Sequence, residues 1–220
     1  MAAKFENTHR KIIDGGMEVM LEHGFYNASV NMICKASGVT RPTFYSHFDS
    51  KENIIGEYYD LSCPFSEETK KWISSTFTDL ERIFRLLAAY LQNAGDIRHV
   101  ELFSKYLVYK LSSQKYGSNA IYTKSFDNEI RSLLVSFLRG AQDHGEIQNT
   151  SAASYLCDSI MALQLGFLFR WCASEGNYNR NKNMFQSLEA LLMIRPDLRG
   201  SWEQYCSLRV PGFNIPKELH

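Results

Sequence analysis

Between Ser29 and Phe48 the residues leave room for little besides two short helices joined by a tight turn. Ser29 is placed to cap the first, with Val30 and Ile33 on its buried side. Gly38 stands where the chain must turn sharply, and glycine accepts a positive φ at low cost. Val39 plugs the corner, and Thr40 caps the second helix by accepting a bond from the Thr43 amide. Phe44 and Phe48, four residues apart, fall on one face of that helix. This is the pattern of a helix-turn-helix, a motif whose second helix enters the major groove of DNA.

The remaining chain reads as helix. A first helix is expected from about Glu6 to His23, with Ile13, Met17, Met20 and Leu21 as its apolar stripe. Gly15 and Gly16 inside it each cost about 1 kcal/mol against alanine, which points to close packing against another helix. A fourth helix starts at Ser50 and is stopped by Pro64. Ser66 opens a further helix. Thr78 to Glu81 has the form of a capping box, followed by a stripe of Leu80, Ile83, Phe84, Leu87 and Leu91. Later helices carry Val100 to Leu111, Phe126 to Leu138, Ser151 to Ala173 and Met184 to Ile194, with breaks at 93–96 and 116–119. No alternating strand pattern of useful length occurs. The expected fold class is all-α: an N-terminal three-helix domain (1–50), a connecting helix (51–63) and a C-terminal helical domain (64–220).

Composition narrows the function classes. Of 220 residues, 45% are hydrophobic and 22% charged, ordinary values for a globular protein with a sizeable core. The longest apolar run, Ile160 to Phe169, is short of the roughly 20 residues a membrane span needs, and the N-terminus lacks the apolar stretch of a signal peptide, so a cytoplasmic protein with no membrane partner is expected. The five cysteines have no ligand spacing and read as reduced buried thiols. No metal site, cofactor site or catalytic constellation is found, and the chain is not expected to be an enzyme. Residues 1–60 carry six basic and eight acidic groups, which counts against strong non-specific binding to nucleic acid. Locally the balance reverses. Ser29 to Lys51 holds three basic groups and one acidic, and helix N-termini add partial positive charge.

Ile33 to Thr40, then Phe44-Tyr45-Ser46-His47-Phe48, then Ser50 to Ile55, resemble the N-terminal domain of the TetR family of transcriptional regulators. That family usually reads I-A-x-x-A-G-V-S, L-Y-x-H-F and S-K-E-x-L. Cys34 and Ser37 replace the usual alanines, and Pro42 stands where a small residue is usual, so base preference does not carry over. The resemblance implies that Tyr45, His47 and Lys51 bind backbone phosphate, for which phenol, imidazole and ammonium donors are chemically suited. Arg41, Pro42, Thr43 and Ser46 would face the groove, Arg41 toward guanine and Thr43 toward a thymine methyl, with Ser29 and Thr40 at the helix starts completing the DNA-binding set.

The resemblance further implies a homodimeric repressor on a palindromic operator, released by a small organic effector that moves the connecting helix. The effector is expected to be apolar and organic, with an anionic one admitted, in a cavity walled by Phe103, Tyr106, Phe126, Phe137 and Trp171 and anchored by Gln164 and Arg170; a filled core with Arg170 at a helix end is the equal alternative. A dimer interface is expected from Leu156, Ile160, Leu163 and Phe167 with Met184, Leu188, Leu191 and Leu192, because the first of these helices is apolar nearly all round. The rival reading is a helical dimer that binds small molecules or proteins without DNA affinity.

Overall fold

The computed structural model describes residues 2–61, 65–92, 99–112, 124–206 and 208–212. These residues form α1 (Ala2–His23), α2 (Val30–Ser37), α3 (Arg41–His47), α4 (Lys51–Leu61), α5 (Glu67–Ser74), α6 (Asp79–Gln92), α7 (Val100–Ser112), α8 (Lys124–Asp143), α9 (Ala153–Ala173) and α10 (Arg180–Leu192). Two 3-10 turns follow, and one isolated bridge joins Ile147 to Ile194, so no strand occurs among the described residues. The helix pattern is the one expected. α1 begins earlier than Glu6, because Ala2 and Ala3 are strong helix formers and nothing before Glu6 breaks the helix. The expected breaks at 93–96 and 116–119 lie outside the described residues.

The chain divides into two compact units. The first joins α1–α4 with α7, the second joins α5, α6 and α8–α10 with the C-terminal turns. This differs from the 64–220 boundary, which assigned α7 to the C-terminal domain. α7 groups with α4 because Phe103 and Tyr106 pack their rings on Tyr59, with centroids 4.9 and 5.0 Å apart. Lys110 also ion-pairs with Asp60 at 2.8 Å, and Tyr106 donates its hydroxyl to the same carboxylate at 2.8 Å.

In the first unit, Ile12, Ile13, Met17 and Met20 of α1 meet Ile33, Phe44, Phe48, Ile54 and Ile55 in a buried core. The two glycines of α1 are explained by close approach. A β-carbon at Gly15 would lie 2.7 Å from Ser37 Oγ and 3.1 Å from the Ser37 backbone nitrogen, and one at Gly16 would lie 2.9 Å from Ile54 Cδ1. The helical cost of both glycines therefore brings α2 and α4 against α1.

In the second unit α6 is buried along nearly its whole length, with Leu80, Ile83, Phe84 and Leu87 at its centre. Thr78 caps it, accepting from the Glu81 amide at 3.2 Å. The reciprocal arm of the expected capping box is not made. The Glu81 carboxylate instead accepts from Tyr205 and Arg85, each at 2.8 Å, and from Thr76.

α9 bears on two expectations. Over its 21 residues it is long and apolar enough to cross a membrane by length and composition, although the uninterrupted run inside it is short. In the structure it packs along α8 and α10. It also presents a different face outward from the one expected. Leu156, Ile160, Met184, Leu188 and Leu192 are buried in the protomer's own core, and Leu163, Phe167 and Leu191 are half-buried. The exposed stripe is Tyr155, Ala162, Leu165, Gly166 and Phe169. An all-apolar helix gives no periodic signal to say which side meets its own core.

Cys34 and Cys157 are buried and Cys172 and Cys206 half-buried; Cys63 lies outside the described residues. Burial pushes the thiols of Cys34, Cys157 and Cys206 up, which suits inert packing groups.

Candidate nucleic-acid interface

Ser29 caps α2 by accepting from the Met32 amide at 3.3 Å. Gly38, at φ 65°, returns its amide to Cys34 and Lys35 carbonyls and ends the helix in the left-handed conformation that glycine tolerates. Thr40 then caps α3 by accepting from the Thr43 amide at 3.3 Å, with Pro42 in the first turn where its missing N–H costs little. The local chemistry expected of this turn is present bond for bond.

α3 buries Phe44 and exposes Arg41, Pro42, Tyr45 and Ser46, which share the opposite side of the helix. The Arg41 guanidinium lies 6.0 Å from the centre of the Tyr45 ring. Tyr45 is 48% exposed, so its phenol is free to meet a partner. Thr43 is half-buried, its hydroxyl 2.9 Å from that of Thr40, while Ser46 donates to the Thr43 carbonyl at 2.7 Å. The outward surface thus carries one cation, one phenol and small hydroxyl groups on a short rigid helix, the ingredients of base and phosphate contact.

Two nominated residues are differently employed. Lys51 is not a free surface ammonium. Its Nζ donates to the carbonyls of Phe25 at 2.6 Å and Ala28 at 2.9 Å and lies 4.2 Å from the centre of the Phe25 ring. Of its three N–H donors one is left for a phosphate. His47 is half-buried and held by stacking on Phe5, with centroids 4.0 Å apart. Its Nδ1 faces Nδ1 of His9 at 3.1 Å, and His9 Nε2 pairs with Glu57 Oε2 at 2.5 Å. Burial, then the nearby His9, pull His47 below the usual histidine range. Sequence reasoning missed His9 and Glu57. They lie 38 and 10 positions from His47, on other helices, and no linear motif ties them together.

The expected effector residues are divided between the two units. Phe103 and Tyr106 are buried in the first unit, against Tyr59. Phe137, Gln164, Arg170 and Trp171 belong to the second unit, and the Phe126 side chain lies outside the described residues. Arg170 is exposed, its guanidinium 4.6 Å from the centre of the Tyr178 ring, so it anchors nothing inside. It stands six residues after Gln164 on α9, which turns it to the far side of the helix. Trp171 is buried, with the Arg180 guanidinium 4.3 Å from its ring centre. Gln164 is 1% exposed, and neither its amide nitrogen nor its oxygen has a partner. A groove of about 650 Å³ along α8, lined by Arg131, Ser132, Val135, Ser136, Arg139, Gly140 and Asp143, borders none of these residues. Among the described residues no three His, Cys, Asp or Glu side chains are grouped to hold a metal.

Comparison with known proteins bears on this geometry. Residues 12–58 match the model for bacterial regulatory proteins of the tetR family, a span covering α2, α3 and nearly all of α4. Over 55 residues the chain is 36% identical to the HTH-type transcriptional regulator UidR of Escherichia coli (strain K12), a stretch that is 25% of this chain and 28% of that regulator's length. The HTH-type transcriptional repressor DhaR of Mycobacterium sp. (strain GP1) is 24% identical over 189 residues, covering 82% of this chain and 90% of DhaR. In fold, the chain is similar to Thermus thermophilus FadR, a TetR-family transcriptional repressor solved in complex with lauroyl-CoA, with a TM-score of 0.58 at 17% identity over 84% of this chain and 93% of that one. Motif and helix order agree over residues 12–58, and this segment belongs to the tetR family of bacterial regulatory proteins, while the likeness to Thermus FadR extends the fold alone over most of the chain.

Proposed function

We propose that this protein is a ligand-responsive DNA-binding transcriptional regulator of the repressor type, working in the cytoplasm as a homodimer on a palindromic operator. The observation that carries the reading is the outward side of α3. Arg41, Pro42, Tyr45 and Ser46 stand exposed on a helix whose other side is fixed by Phe44 in the core. Such a helix reads base edges through Arg41 while Tyr45, and the remaining N–H of Lys51, hold phosphates. The dimer uses the exposed stripe of α9, Tyr155, Leu165 and Phe169 around Gly166, in place of the buried stripe nominated from sequence. An isologous contact about a two-fold axis between such stripes supplies the symmetry that a palindrome requires.

The effector in this reading is an apolar organic molecule with a polar group that meets Gln164. A buried carboxamide left unpaired costs about 1–3 kcal/mol, and a ligand carbonyl or hydroxyl that pairs with it recovers that cost. Lauroyl-CoA, bound by the Thermus FadR, is a fitting first probe. The rival, a helical dimer without DNA affinity, is favoured only by the net acidic charge of residues 1–60. A gel-shift assay against genomic fragments at low salt separates the two. Retarded fragments that are released by added ligand are expected, whereas no retardation at micromolar dimer contradicts the proposal.

A further inference from the structure

Three helices of the first unit meet through three titratable side chains. Glu57 of α4 pairs with His9 of α1, and His9 faces His47 at the end of α3. Both rings are fixed by stacking, His47 on Phe5 at 4.0 Å and His9 on Phe48 at 4.4 Å between centroids. The His47 Nε2 atom has no partner among the described residues and is not sealed from solvent.

From this geometry we infer that Glu57 and His9 are positioning residues, which hold His47 Nε2 as an outward N–H donor for a DNA phosphate and tie DNA affinity to one proton. The inference rests on the DNA-binding reading above. A carboxylate only accepts, so His9 Nε2 at 2.5 Å from Glu57 carries a hydrogen. The two Nδ1 atoms at 3.1 Å have room for one hydrogen between them. With both rings neutral, His9 Nδ1 is bare, His47 Nδ1 donates to it, and His47 Nε2 is left as a lone pair that repels a phosphate oxygen. An added proton enters at His47 Nε2. The bridging hydrogen then sits on either Nδ1, and the Glu57 carboxylate draws it toward His9. In either form Nε2 is now N–H. A second proton would set hydrogens on both Nδ1 atoms against each other, so the pair takes up one.

Other charged groups stand beside the pair in sequence. On α1, Glu6 lies one turn before His9, and Arg10 follows it, paired with Asp14 at 3.1 Å. Asp49 follows Phe48. Tyr58, beside Glu57 on α4, is pushed up to about 12 by burial and stays neutral. Burial, then the neighbouring His9, oppose the proton on His47. DNA affinity therefore falls as pH rises through the titration of His47.

The test uses a duplex that the wild-type protein selects from a randomised DNA library. Its Kd is followed by fluorescence anisotropy at fixed salt from about pH 4.5 to about pH 8, a window extended to low pH because His47 is held below the usual histidine range. In parallel, the ¹⁵N shifts of the His9 and His47 ring nitrogens report which atoms carry hydrogens. The expected result is a Kd that weakens up to about tenfold per pH unit above a midpoint shared with the His47 Nε2 shift. Glu57→Gln, which removes the charge, moves both midpoints about one unit or more to lower pH. His9→Phe, which keeps a flat ring against Phe48, removes the Nδ1 acceptor, so neutral His47 is free to keep its hydrogen on Nε2 and the pH dependence of Kd shrinks. Identical pH profiles for wild type and Glu57→Gln, or a His47 Nε2 shift that stays constant with pH, overturn the relay while leaving DNA binding standing. A protein that selects no duplex overturns both.

Discussion

The Lys51 ammonium donates to the carbonyl oxygen of Phe25 at 2.6 Å, tying the first residue of α4 to the turn between α1 and α2. With the second bond to Ala28, this lysine holds the helix-turn-helix to its supporting helix. Lys51→Met keeps the aliphatic stem and removes both charged hydrogen bonds. It should lower stability by about 1.5–3 kcal/mol, read from the urea midpoint in the absence of DNA. A lysine whose work was confined to phosphate would leave that midpoint unchanged.

Arg41 and Tyr45 should separate base contact from phosphate contact. Arg41→Ala should cost about 1–3 kcal/mol of binding on a selected duplex and relax preference at one base position, whereas Tyr45→Phe should weaken all duplexes alike. Both side chains are exposed, so the thermal midpoint should stay within about 1 °C of wild type. Competition titrations with single-base duplex variants make the distinction.

The exposed and buried stripes of α9 and α10 make opposite forecasts. Leu165 is 43% exposed, and Leu165→Glu should yield monomers by sedimentation with helix content by circular dichroism retained. Leu188 is fully buried, and Leu188→Glu places a charge in the core, so it should unfold the second unit instead of merely dissociating it. A monomeric, folded Leu188→Glu protein would return the interface to the stripe first expected from sequence.

Burial pushes the Glu81 carboxyl up, but hydrogen bonds from Thr76, Tyr205 and Arg85, with the charge of Arg85, outweigh it and hold the group below the usual carboxylate range. A carboxyl held low adds stability above its unfolded pKa, and that contribution disappears as pH falls through the folded value. Glu81→Gln should therefore narrow the stability difference between neutral pH and about pH 3, because wild type loses this contribution and the variant has none to lose. Urea midpoints at the two pH values, compared between the proteins, check it.

The helix-turn-helix was legible because its rules are local. Ser29, Gly38 and Thr40 act on atoms within a few residues of themselves, and the side of α3 that faces out follows once Phe44 is assigned to the core. The cost of Gly15 and Gly16 correctly announced a neighbouring helix but did not name Ser37 or Ile54. Long-range chemistry was not legible. Nothing near Lys51 in sequence shows that carbonyls more than 20 residues away take up its charge, and the link from Glu57 through His9 to His47 exists only once three helices are packed. The second unit was harder for another reason. α9 is apolar on most sides, so periodicity could not assign its faces, and Arg170 was placed in a cavity when the helix turns it outward.

Selection from a randomised duplex library, followed by sequencing, tests the central claim most directly. A dimer presenting two copies of α3 should enrich an inverted repeat whose half-sites lie about one helical turn apart, or a multiple of it. Arg41→Ala should lose or broaden one position in each half-site symmetrically. Enrichment of no sequence, or of a sequence that Arg41→Ala enriches equally well, would contradict the assignment of α3 as the element that reads DNA.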